Sequence, residues 1–358
     1  MIKSYSPTIN KYLYNEIDSL KNKKSIELCN NIFDINIGDD DNIICVNYKN
    51  KKALNILLNT LKNHKINNPK DLILPNQIYS NCWFNTMFTA FFFSDKGRKF
   101  FKYFRYLMIT GKKIKNDRLI NIENEEIKKI LFILNIYIEA SLNQRKNNTY
   151  KVKKNHTKTR KNNLYNKMNS LLKIKKLETN FFIKEMYNLI KNTNKNISIP
   201  NIQDSGNPIE YYKTIINFLD DSNIYIKEYN IEKKINIENK FSNLYSNPHL
   251  IIINDFESGT IFKEEYKIND AIYKLDSIII TNKDHFDENK SSHFVNVLTI
   301  NNKQYKFDGS SLKKMSRFNW KSKINKNIDW SFIEDKKYES LFYNFTKGYK
   351  IMFYYRVN

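Results

Sequence analysis

One thiol in this chain stands where thiol chemistry can happen. Cys82 follows an extended, proline-led stretch, LPNQIYSN, and opens the apolar run CWFNTMFTAFFF. That pattern places it at the start of a buried helix. The N–H groups and dipole of a helix N-terminus favour thiolate over thiol, and the thiolate is the nucleophile of covalent catalysis. Cys29 and Cys45 sit in strand-like apolar settings. They are expected to be free, inert thiols.

A thiol nucleophile needs a base, and the base needs a group to orient it. Of the five histidines, His64 ends a lysine-rich helix, His156 lies in a basic stretch, His249 follows a proline and His285 falls in the polar DHFDENK. His293 alone opens a strand, HFVNVLTI. The chain then turns at Asn301-Asn302 and returns as KQYKFDGS. In such a hairpin His293 and Asp308 meet at the open ends. There the carboxylate accepts from the imidazole and fixes its tautomer. Gln77, five residues before Cys82, offers an amide N–H to an oxyanion.

Around these residues the chain resembles the ubiquitin-specific proteases, a papain-like deubiquitinase family. Gln77, Cys82, Trp83, Phe84, Asn85 and Thr86 match the family's cysteine box, and QDSGNPIEYYKTIINFLD, from Gln203 to Asp220, matches its second box. The histidine box is matched by YKLDSIII at 273–280, HFVNVL from His293 and YKFDG at 305–309, and the closing tyrosine-rich strand by GYKIMFYYR at 348–356. The resemblance implies an α+β, papain-like cysteine protease fold, with a helical thumb carrying Cys82 and an antiparallel sheet palm carrying His293 and Asp308. It implies catalytic roles for Cys82, His293, Asp308 and Gln77. It implies substrate contacts at Gln203, Asp204, Glu210, Trp83 and Ser292. The substrate would be a conjugate of ubiquitin or a ubiquitin-like protein, cleaved after the C-terminal Gly. No metal and no cofactor are implied.

The chain also departs from the pattern. Ser292 stands where the family often has Gly, and Gly309 where it often has a second acid. No cysteine follows Cys82, so the zinc-binding pairs of the fingers region are missing and a reduced fingers region is expected. A basic, glycine-ending tail calls for a locally acidic cleft, with Asp204 and Glu210 the first places to look.

The elements that must hold these residues run helices first and strands second, the α+β order. Helices are expected at Lys51–His64, at 82–93, from a Ser94-Asp95 cap to Gly111, and at Glu123–Ala140. Strands are expected at Leu250–Ile253, Ile272–Ile280, His293–Ile300, Lys303–Phe307 and Lys350–Arg356. Pro69 and Pro75 mark a boundary between an N-terminal extension, 1–74, and a catalytic unit, 75–358, divided into a thumb (75–220) and a palm (221–358). Between Ala140 and Leu177 there are 12 Lys+Arg and no acid. This basic insertion reads as a solvated loop that could meet an acidic partner or nucleic acid.

Over 358 residues, 60 Lys+Arg against 37 Asp+Glu give +23. With 41% hydrophobic residues the chain is neither disordered nor a linker, and three Cys exclude a disulfide scaffold or a four-cysteine zinc site. The first residues lack the apolar core of a signal peptide, and no run approaches the ~20 residues of a membrane span. A reducing compartment is expected. The lysine- and asparagine-rich composition suggests an AT-rich genome, such as that of a large DNA virus, hence host cytoplasm or virion. Two further readings follow: a viral cysteine protease processing virion or other precursors, and a basic nucleic-acid-binding or virion protein on an inactive protease scaffold.

Overall fold

The computed structural model describes residues 26, 28–29, 32–38, 42–62, 66, 68–115, 118–142, 179–193, 195–201, 203–204, 206–219, 224–290, 292–310, 315–332 and 341–357. From residue 143 onward the basic insertion expected at 140–177 lies outside them.

The chain begins with a short antiparallel pair, β1 (Asp34–Asn36) and β2 (Cys45–Asn47). A disulfide joins Cys29 to Cys45, with Cα atoms 6.1 Å apart. This corrects the expectation of two free thiols. Leu28 pairs with Ile35 and Cys45 pairs with Asn36, so both cysteines gather about β1 within bridging range.

Helices follow. Helix α1 (Lys51–Lys62) packs its Ile56, Leu57 and Leu61 into the same core as the later helices. Helix α2 (Cys82–Phe92) is buried on all sides beyond its first residue. Ser94 then caps α3 (Asp95–Phe100), its hydroxyl accepting from the Gly97 N–H. The single helix expected here breaks at Phe101, whose ring stacks on Phe91 at 4.1 Å, and α4 (Lys102–Thr110) starts afresh. Gly111 ends α4 in the left-handed region at φ 64°, where glycine carries no Cβ penalty. A small hairpin, β3 (Lys112–Lys115) and β4 (Arg118–Asn121), leads to α5 (Glu125–Leu142). Helices α6 (Asn180–Thr193) and α7 (Pro208–Leu219) complete the helical part.

The rest is sheet: β5 (Ile226–Ile231), the short α8 (Ile237–Phe241), β6 (Leu250–Phe256), β7 (Glu265–Ile268), β8 (Ala271–Thr281), β9 (Phe294–Ile300), β10 (Lys303–Phe307), β11 (Ser316–Arg317) and β12 (Tyr349–Arg356). The strand order is β11-β10-β9-β8-β12-β6-β5, with β7 also on β8. The expected antiparallel sheet is found except at one edge, where β5 runs parallel to β6 because α8 and its flanking loops carry the chain back across.

Alternation along the strands divides the core in two. Leu250, Ile252, Ile279, Leu298 and Phe353 join the helices in one cluster, while Ile251, Ile253, Ile278, Val297 and Met352 form a second on the far face. Helix α2 lies on β8 and β9, so the start of that helix and the start of β9 open on the same cleft. No helix among the described residues is long and apolar enough to cross a membrane.

Candidate active site

Cys82 is the first residue of α2 and is half-exposed. Asn81 precedes it but makes no side-chain cap on the helix. The first-turn N–H groups are therefore left without that acceptor and lie beside the thiol.

His293 comes to Cys82 from the sheet. Asn301 and Asn302 both adopt left-handed backbone, φ 51° and 58°, as a two-residue hairpin turn of matching twist requires. That turn sets the register of β9 against β10 and brings the residue before β9 beside the residue after β10. His293 Nε2 lies 2.8 Å from Asp308 Oδ1. The His293 backbone N–H donates to Asn282 Oδ1 at 2.9 Å, which anchors the ring's base. Both His293 and Asp308 are buried. With Nε2 committed to Asp308, Nδ1 is the nitrogen left for Cys82, which lines the same cleft and acts electrostatically on the ring. Burial works against the charged imidazole, but the bonds and charges of Asp308 and Cys82 outweigh it and raise the group to about 9.

Asp308 is also held by the residue two positions on. Ser310 Oγ lies 2.9 Å from both Asp308 oxygens, and its backbone N–H donates to Oδ1 at 2.9 Å. Gly309, between them, is closely surrounded. A Cβ there would meet Asn85 Nδ2 at 3.3 Å and Gln77 N and Pro75 O at 3.4 Å.

A cleft of about 420 Å³ opens over Cys82. Gln77 and Tyr79 form one wall, and Phe256, His285, Phe294 and Tyr349 form the other. Gln77 keeps Oε1 buried without a partner, while its Nε2 makes only a weak 3.4 Å bond to the Tyr79 carbonyl. That leaves the N–H donors available to a negative oxygen. Tyr79 turns the chain in left-handed backbone at φ 60° and is 79% exposed at the cleft mouth. Such strain in a non-glycine residue marks a position fixed by its surroundings.

Of the residues expected from the sequence, the structure brings Cys82, His293, Asp308, Gln77, Trp83 and Ser292 together. Trp83 is buried beneath the cleft, and Gly206 lies so close that a Cβ would be 2.7 Å from the indole. Ser292 Oγ hydrogen-bonds His285 Nδ1. The structure does not bring Gln203, Asp204 or Glu210 to the lining: all three are exposed outside it. Asp204 Oδ2 accepts from the Asn201 N–H at 2.6 Å in a local turn, and Asn207, not Asp204, accepts from the start of α7. No Asp or Glu is among the described lining residues, although Glu228 and Glu210 act electrostatically on Tyr349 in the wall.

Sequence reasoning passed over His285 and Phe256. His285 stacks on Tyr349 with ring centroids 6.0 Å apart, and burial lowers its pKa. Its polar sequence surroundings gave no sign of this. Tyr349 had a signal, as the first residue of the closing tyrosine-rich strand.

No protein-family model matches the chain, and no curated protein matches its sequence. Solved structures similar to it include an essential yeast splicing factor, at 11% identity and TM-score 0.45, covering 82% of this chain and 72% of that one. They include the SAGA DUB module of Ubp8, Sgf11, Sus1 and Sgf73 bound to monoubiquitin, at 10% identity and TM-score 0.41, covering 81% and 70%. The same module bound to ubiquitin aldehyde aligns at 9% identity and TM-score 0.41, covering 91% and 81%.

Proposed function

We propose that the protein is a thiol isopeptidase that cleaves after the C-terminal Gly of ubiquitin or a ubiquitin-like modifier. One observation carries the reading: His293 is bonded to Asp308 through Nε2 at 2.8 Å and shares the lining of one cleft with Cys82. The order nucleophile, base, orienting acid is that of a thiol hydrolase.

In this reading Cys82 Sγ attacks the carbonyl carbon of the terminal Gly. Gln77 Nε2 and N–H groups at the start of α2 hold the oxyanion. The His293 imidazolium gives its proton to the leaving amine as the C–N bond breaks, and a thioester to Cys82 remains. His293, now neutral, takes a proton from water, which attacks the thioester, and the thiolate leaves. Against the cost of burial, Asp308 and the Cys82 thiolate keep the imidazolium charged until that proton is needed. The catalytic unit would span 75–358 and fold in the papain-like manner. Residues 1–74 would form an extension on its thumb, and the basic 140–177 stretch would be an arm for an acidic partner or nucleic acid.

The test is turnover of a ubiquitin C-terminal fluorogenic amide, with covalent capture of Cys82 by a ubiquitin carrying a C-terminal electrophile. Cys82→Ala should abolish both. Full turnover by Cys82→Ala would end the proposal. Cleavage of other precursor proteins with no capture by the ubiquitin probe would move the substrate away from ubiquitin.

A further inference from the structure

We propose that Thr179 and Asn180, at the start of α6, are positioning residues for the oxyanion-holding amide of Gln77. The inference rests on the thiol-hydrolase reading and adds to it residues that lie far from the site in sequence.

The Thr179 hydroxyl is completely buried between two asparagine side chains. It donates to Asn85 Oδ1 at 2.5 Å and accepts from Asn81 Nδ2 at 3.0 Å. A hydroxyl has one hydrogen to give and lone pairs to receive. Each amide thereby turns a defined end toward Thr179 and its other end toward the loop before Cys82, and Asn81 Nδ2 also donates to the Asn76 carbonyl at 3.5 Å. Asn81 Oδ1 accepts from the Ile78 N–H at 3.0 Å. Asn85 Nδ2 donates to the Asn76 carbonyl at 3.2 Å. Asn180 adds a third tie, its Nδ2 donating to the Ile78 carbonyl at 3.0 Å.

These bonds fix the peptide groups on both sides of Gln77. Asn81 and Asn85 are as buried as Thr179, so water cannot stand in for a lost partner. Without the hydroxyl, each amide loses the contact that sets its direction. The loop then loses its hold at Ile78 and Asn76, and Gln77 loses its aim. Misplacement of a catalytic group by about 1 Å costs on the order of a hundredfold in rate.

The experiment compares Thr179→Val, which keeps the shape and removes the hydroxyl, with Thr179→Ser, which restores it, and with Asn180→Ala. Turnover is measured on the ubiquitin C-terminal amide, alongside alkylation of Cys82 by iodoacetamide, a reaction that forms no oxyanion. Thr179→Val is expected to lower kcat by about tenfold to a hundredfold with KM nearly unchanged. Alkylation should stay at the wild-type rate, and Thr179→Ser should recover most of kcat. The double variant with Gln77→Ala should be little worse than Gln77→Ala alone. Wild-type kcat in a folded Thr179→Val, loss of alkylation in step with kcat, or full additivity with Gln77→Ala would each overturn the proposal. Should Thr179→Val fail to fold, unchanged kcat in Asn180→Ala overturns it. A wild-type protein with neither turnover nor selective alkylation at Cys82 would instead sink the thiol-hydrolase reading beneath it.

Discussion

The Gln77 backbone N–H donates to the Gly309 carbonyl at 3.0 Å. This bond ties the loop that runs into Cys82 to the loop that begins at Asp308. It crosses from the helical part to the sheet, beside the Cys82–His293 contact. The loops that carry Gln77 and Asp308 are thus held to each other directly as well as through the core. A shift in one loop is passed to the other.

His293 sets the expected pH dependence. Its folded pKa, about 9, lies above the ordinary 6.5. The stabilisation linked to its proton is therefore fully present below about 6.5 and lost as pH rises through about 9. In the proposed reaction the imidazolium protonates the leaving amine, so turnover should fall over the same upper range. In Asp308→Asn the basic limb should move toward neutral pH, and kcat/KM should drop by about a hundredfold or more. A pH profile of kcat/KM for both proteins checks this, and a limb that stays put in the variant would refute it.

Gly206 faces the Trp83 ring with no space for a methyl group, and Trp83 is only 1% exposed. Phe84 and Tyr211 hold the indole at 5.8 and 5.0 Å, so it cannot swing away. Gly206→Ala should destabilise the fold by about 1–3 kcal/mol through overpacking. Urea unfolding measures it.

Lys350 and Asp255 face each other across β12 and β6, both almost fully buried, with Nζ 2.5 Å from Oδ2. Removing one charge strands the other. Lys350→Met should cost about 3–5 kcal/mol, and Lys350→Met with Asp255→Leu much less. Thermal unfolding of the single and double variants separates the two costs.

The Cys29–Cys45 bridge closes a loop of sequence separation 16. Its loss should lower stability by about 3 kcal/mol, within the range of such cross-links. Unfolding of the double Cys29→Ser, Cys45→Ser protein reads that loss while leaving the Cys82 thiol untouched. Mass spectrometry of the unreduced chain should find the bridge.

What the sequence revealed was what local chemistry writes. Cys82 was legible because a proline-led extended stretch gives way to an apolar helix, and His293 with Asp308 because two asparagines mark a tight turn between strands. What escaped depends on contacts that no local pattern encodes. Thr179 reaches Asn81 across 98 positions. The disulfide follows from how Leu28 and β2 flank β1, and single-chain reading favoured free thiols. Asp204 drew attention by the resemblance and Glu210 by its charge, yet a local turn consumes the first, and the second is exposed on α7 outside the lining. The helix break at Phe101 comes from tertiary packing overriding a sound periodic pattern; the parallel edge strand follows from the return of the chain through α8, which no local pattern encodes.

The cleft over Cys82 is walled by aromatic rings and an imidazole whose pKa burial lowers, with no acid among its described residues. Capture of a partner from solution, by contrast, feels the +23 of the whole chain. Ionic strength therefore separates the two: added salt should change how fast a charged substrate arrives, while the hold on its tail inside the cleft stays nearly constant.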